Sequence, residues 1–395
     1  SKVDLSKDGE TLAGIIAPVY TILKEVLENG FALEMLANDE IYDAIVAIYD
    51  SIIATTIVEF VVPGAVKSFV NGMAAEGLVA DIIAAADLNG LTDAEIYADL
   101  QMISTILGNV KDLDVMSIVF EEAQIGIYDI DTYKALLENI FEINILDHAM
   151  ISVIEVVVES MLQIELDDAA MAAISADAEQ AKIVNAIVSV LNVADSLGLQ
   201  YVSEAYVHFT ELLPLITEDI NEASSYFANG EFVDGICAML ETVGTELDAM
   251  DKVALIDIFE SLLSLDLISV IGIEAYNQLV FEGFDGDMEV IANLHDYSSE
   301  QLQEDLLSIV QIIEELLASN IHMMGVNKEF VGEECIDNLE NIIKLLFGLN
   351  ILEVKEQDLG EILAIFLGEL VDLSAVDFSK VDLSKDGETL AGIIA

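Results

Sequence analysis

Residues 1–17 read SKVDLSKDGETLAGIIA, and residues 379–395 read the same seventeen letters. Convergence on a helical pattern would preserve apolar spacing, not every surface residue, so the two segments are copies of one sequence. The chain is therefore expected to hold one period of 378 residues, 1–378, followed by the first seventeen residues of the next, 379–395. Long tandem repeats build quasi-one-dimensional proteins in which each unit contacts its neighbours. The opening at Ser1, with neither an initiator Met nor a signal-peptide pattern, fits a window on a longer polypeptide. At the junction, Ser379, Leu383, Leu390, Ile393 and Ile394 are expected to carry continuity into the next repeat, the last three by packing on its following helix.

A weaker repeat lies inside the period. Aligned without a gap, Thr92–Leu146 and Ser298–Leu352 share eleven identities, among them Asp99-Leu100 with Asp305-Leu306 and Asn144-Ile145-Leu146 with Asn350-Ile351-Leu352. Gly126 and Ile130-Asp131 also match Gly332 and Ile336-Asp337. Ser6, Ser175 and Thr245 look like further starts, each an N-cap residue followed by early acids. Five modules are read, starting near 6, 92, 175, 245 and 298. Gly30-Phe31, Asp114-Val115, Gly198-Leu199, Asp266-Leu267 and Asn320-Ile321 are the expected left-handed turns that close their first helices.

Apolar residues recur every three or four positions, as in Leu302, Leu306, Ile309, Ile313 and Leu316, with Gln303, Glu304, Gln311 and Glu314 opposite. Only three prolines interrupt the chain, and the β-branched run Ile57–Val62 sits inside a helical frame. The expected fold is all-α: an elongated α-solenoid of helical-hairpin modules, tandemly repeated. Met150–Leu162 and Ile183–Leu199 are apolar almost all round, and should be inner helices or meet a laterally packed neighbour.

Charge narrows the function. The 74 acids face 13 cations, all lysine, for a net −61. Without an Arg fork, such a chain makes a very poor partner for nucleic acid or an anionic membrane. No membrane span is expected, since the uncharged stretch Ile183–Ala194 is broken by Asn185, Ser189 and Asn192, and Ile45–Val66 carries Asp50 and Glu59. Without its second 17-mer copy, which holds three acids and two lysines, a period has 71 acids and 11 lysines. If its helices stack in pairs 8–10 Å apart, a period spans on the order of 80–90 Å. That sets roughly one negative charge per 1.5 Å, comparable to duplex DNA. No cofactor is expected; such a polyanion instead gathers cations diffusely, calcium included.

Catalytic patterns are missing. There is no G-x-S-x-G, no phosphate loop and no H-E-x-x-H, and His148, His208, His295 and His322 fall at no ligand spacing. His295 and His322 are read as surface or capping residues, Cys237 and Cys335 as buried structural thiols. The metal candidate is Asp285, Asp287 and Glu289 in FDGDME, which resembles a fragment of a calcium loop but lacks its remaining ligands.

The long identical repeat and the helical pattern resemble, as a class, the giant α-helical repeat proteins of prokaryotic cell surfaces. That resemblance implies a structural filament, extracellular or on the cell surface, and not an enzyme. Its partner is itself, through covalent repeat continuity and lateral fibre packing. A repeat-array adhesin and an acidic halophile protein are the alternatives.

Overall fold

The computed structural model describes residues 2–30, 33–73, 77–113, 115, 124–127, 129–162, 174, 176–278, 294, 296–328 and 335–354. Among them every regular element is helical, and one isolated bridge pairs Gly126 with Tyr201. The run Ile57–Val62 lies within a helix, as its frame predicts. The chain divides into two compact units.

The first unit comprises Ser1–Glu165, Ser175–Val184 and Gln200–Ser203. Helix α1 (Leu5–Leu12) is capped by Asp4, whose carboxylate accepts from the Ser6 and Lys7 amides. Ser6 is therefore inside the helix, and the cap lies two residues earlier than expected, because Asp4 has the side chain that reaches both amides. A 3-10 turn, Ala13–Ile15, leads to α2 (Ile16–Asn29), which stops on Gly30 at φ 84°. Helices α3 (Asp39–Ile53) and α4 (Thr56–Val70) meet at 90° across the two-residue link Ala54-Thr55. After α5 (Leu78–Ala85) comes the long α6 (Asp93–Asp112), then α7 (Ile130–Phe141) and α8 (Asn144–Val157), again joined by two residues.

Helix α6 packs on α3, α4, α7 and α8. Its first apolar residue, Ile96, is fully buried with Leu88 and Leu91, and Val66, Val70 and Ile145 close over them. Tyrosine hydroxyls stitch α3 to α6: Tyr42 donates to the Leu107 carbonyl at 2.8 Å, Tyr49 to Leu100 at 2.6 Å and Tyr97 to Ile53 at 2.9 Å. The last bond satisfies a carbonyl at the α3 C-terminus, where no intrahelical donor exists. Burial pushes the Tyr49 hydroxyl up to about 12, so these groups stay protonated donors.

The second unit comprises Leu166–Ile174, Asn185–Leu199 and Glu204–Ala395. Helix α9 (Ala176–Ser196) ends at Gly198, φ 73°, with the Leu199 amide returning to the Ala194 carbonyl. Its buried residues include Val184, Ala186, Leu191, Val193 and Ala194, while Ile187 and Val190 stay exposed, so the expected all-round cover is incomplete. Then follow α10 (Val202–Ala228), α11 (Phe232–Met239), α12 (Glu241–Ala249), α13 (Lys252–Leu263) and α14 (Asp266–Gln278). The unit closes with α15 (Ser299–Ala318), α16 (Met323–Asn327), α17 (Ile336–Phe347) and α18 (Asn350–Val354). Helix α15 packs on α13, α14, α17 and α18.

Two expected landmarks move. Thr245 is no N-cap: it lies inside α12, its hydroxyl donating to the Glu241 carbonyl, and the cap nearby is Asp251, which accepts from the Val253 and Ala254 amides. Asp266 opens α14 instead of occupying a left-handed turn, because Ser264 ends α13 in a right-handed conformation. Asn320, at φ 55°, is left-handed as expected. Ser175, Asp114 and Gly332 lie outside the described residues.

The aligned segments correspond element by element. Helices α6, α7 and α8 begin at residues 93, 130 and 144; α15, α17 and α18 begin at 299, 336 and 350, the same offset of 206 throughout. Both long helices start with a capping box, Thr92 with Glu95 and Ser298 with Gln301. The capping bonds from Thr92 hold the Glu95 carboxyl below its ordinary range.

Candidate functional site

A helix joined to its predecessor by two residues can cap only part of its first turn: at α4, Thr55 accepts from the Val58 amide alone. Its first amides still need acceptors. At α8 the N-cap position is Ile143, which has no side-chain acceptor. The acceptor comes from another helix. Asp99 of α6 takes the Asn144 amide and its Nδ2 on Oδ1, both at 2.7 Å, and the Ile145 amide on Oδ2 at 3.0 Å. At α18 the arrangement recurs: Asp305 Oδ1 accepts from the Asn350 amide at 2.6 Å and Oδ2 from the Ile351 amide at 2.8 Å. Asn144 Nδ2 and Asn350 Nδ2 each also reach back 3.4 Å to a first-turn carbonyl, of Glu95 and Gln301.

The first module does the same with different residues. Asp8 of α1 accepts from the Thr56 amide at 2.7 Å and the Thr56 hydroxyl at 2.9 Å, and that hydroxyl accepts from the Asp4 amide at 2.8 Å. Asp219 of α10 supplies a half-buried version, accepting from the Thr242 amide at 2.7 Å in the first turn of α12. Asp8, Asp99 and Asp305 are 2%, 4% and 3% exposed. Burying a carboxylate is costly unless donors replace its water. Here two or more N–H or O–H donors and the positive end of a helix dipole do so, a strong charge-assisted geometry. The crosspieces at Asp8, Asp99 and Asp305 each tie a module's first helix to a helix start 45–48 residues later.

The copies differ in one donor. Asp305 also accepts the Tyr297 hydroxyl, whereas Leu91 stands at the equivalent position in the first unit. Asn350 Nδ2 correspondingly turns to Glu304, at 3.0 Å. Burial and the neighbouring carboxylate hold Tyr297 far above the ordinary phenol range, so it remains the donor.

Asp285, Asp287, Glu289 and His295 lie outside the described residues, as do Ser379, Leu383, Leu390, Ile393 and Ile394. Their first-copy counterparts are described in part: Leu5 and Ile16 are exposed, while Leu12 and Ile15 are half-buried. Among the described residues no three His, Cys, Asp or Glu side chains converge on a metal position. His148 bonds the Asp87 carbonyl at 3.0 Å, and His208 meets Glu246 at 3.0 Å. Expected as a surface or capping group, His322 is instead 2% exposed, and neither ring nitrogen has a hydrogen-bond partner. It stands at the N-cap position of α16, but its ring is enclosed where α12 packs on that helix. Cys237 and Cys335 are buried, as expected.

Between α15 and α17 a groove of about 400 Å³ is lined by Gln311, Glu314, Glu315, Asn341, Lys344 and Leu345. Glu315 there accepts from Asn338 and Asn341, so it serves as a helix tie. Among the described residues, one stretch, Ser299–Asn327, is by length and composition long and apolar enough to cross a membrane, and the bent pair α3–α4 passes the same test. The first of these carries Asp305, engaged on α18.

The crosspiece acids could have been found in the sequence. Asp99 falls between Ile96 and Ile103, and Asp305 between Leu302 and Ile309, both in register with an apolar face where an acid is out of place. No protein-family model matches the chain, and neither a curated protein nor a solved structure matches it.

Proposed function

We propose that the chain is part of a tandem-repeat structural protein, a highly acidic α-helical filament outside the cell or on its surface. The observation that carries this reading is the recurrence of residues 1–17 after residue 378. The carboxylate crosspieces at residues 8, 99 and 305 support it, since one tying device recurs in the modules that start near 6, 92 and 298. Function then resides in the chain's mechanics and its surface charge. Self-repulsion keeps neighbouring filaments apart at neutral pH and low salt. Neutralising carboxylates near pH 4, close to the sequence isoelectric point of about 4.1, or screening them with calcium lets filaments bundle.

Light scattering of native material across pH and calcium concentration tests this control. Rising scattering toward pH 4 and with millimolar calcium is expected. Flat scattering would remove surface charge as the governor of association. Labelling intact cells with an impermeant amine reagent tests the location: the lysines should be modified before lysis.

A further inference from the structure

We propose that the exposed apolar stripe of α2 is the seat for the end of the preceding repeat, the copy of residues 355–378 that leads into α1. The inference rests on the tandem reading and names the contact that joins one period to the next.

The stripe is built from Ile16, Tyr20, Leu23 and Leu27, spaced by four, three and four residues and so aligned on one helical face. They are 69%, 68%, 53% and 84% exposed, while the opposite face of α2 packs on α3. A contiguous apolar face of this kind normally marks an interaction surface. On a chain of net −61 it is also a poor use of surface unless something covers it.

The sequence says what stands next to it. Residue 378 is followed by a copy of residues 1–17, so in a tandem chain the segment preceding each α1 reads as residues 355–378. Only α1 and the short 3-10 turn Ala13–Ile15 separate that segment from α2, and elements close in the chain are usually neighbours in space. That segment holds Leu359, Leu363, Phe366 and Leu370, with the same spacing of four, three and four. Two stripes of matched period can interdigitate along their length.

The test uses a chain of two consecutive periods, residues 1–378 followed by residues 1–395. Leu23→Cys is introduced in the first period only, or at the same position of the second period only, and maleimide labelling is timed. Buried Cys237 and Cys335 give the background in the parent chain. Only the second-period position has a copy of residues 355–378 ahead of it, so its thiol should react at least about tenfold more slowly. Phe366→Asp in the first period should return that rate to the fast value. Equal fast rates at both positions overturn the proposal. Slow rates at both that depend on protein concentration also overturn it, since the occupant is then another chain. The tandem reading itself stands or falls on the mass of the native polypeptide, so the two can fail separately.

Discussion

Replacing Asp99 by alanine should remove the crosspiece between α6 and α8. The carboxylate accepts two backbone amides and one side-chain amide at 2.7–3.0 Å, and is 4% exposed. Hydrogen bonds to a charged group contribute about 1.5–3 kcal/mol each, and a buried amide left without an acceptor costs about 1–3 kcal/mol. Asn144 and Ile145 are only half-buried, so water can recover part of that loss. A net cost of about 2–4 kcal/mol follows for Asp99→Ala, with roughly half of it for Asp99→Asn, which keeps one acceptor. The control is Asp93→Ala in the same helix. Its ion pair with Lys67, at 3.2 Å, leaves the Asp93 carboxylate exposed to water and should contribute less than about 1 kcal/mol. Urea unfolding followed by circular dichroism measures the totals, and amide exchange at Asn144 and Ile145 measures the site. If Asp99→Ala costs no more than the Asp93 control, or leaves both amides as protected as before, the crosspiece is not a stabilising device.

Tyr297→Phe removes one donor from Asp305 and should cost about 1–2 kcal/mol in urea, and the same measurement on Asp305→Ala should show the larger loss. Desolvation, reinforced by Lys252 and opposed by Asp248, lowers the affinity of His322 for a proton below its ordinary value of 6.5. The unfolded chain therefore binds the extra proton first, so this contribution to stability is present above pH 6.5 and is lost as pH falls below it. The urea midpoint should drop between pH 7.5 and pH 5 by less in His322→Phe than in the parent. A Cβ at Gly325 would overlap the Leu240 carbonyl, and one at Gly244 the His322 carbonyl. Alanine at either should force α12 and α16 apart and cost about 1–3 kcal/mol, read as a lowered thermal midpoint.

The sequence was most legible where one chemical signal decides. Helical spacing around Leu302, Leu306, Ile309 and Ile313 predicts α15, and the module starts read near 92 and 298 coincide with Thr92 and Ser298, the N-caps of both long helices. It was least legible where two signals compete. Ser6 and Asp4 can both cap α1, and only the three-dimensional reach of Asp4 settles the choice. Thr245 has the local pattern of a cap, yet α12 already starts at Glu241, where Asp219 from α10 receives the Thr242 amide. Asp99 and Asp305 were visible as identities within the internal repeat, but their role depends on a helix start 45 residues away. The turn sequence Asn320-Ile321 points to an exposed His322, whereas the residue is buried beside the contact of α12 with α16.

The mass of the native polypeptide tests the central claim most directly. Material from its source, denatured and sized by gel or mass spectrometry, should give a species of several hundred kilodaltons. Limited digestion should release fragments that map repeatedly onto one period of 378 residues. A single species near the 42.8 kDa of these 395 residues would contradict the tandem-repeat account.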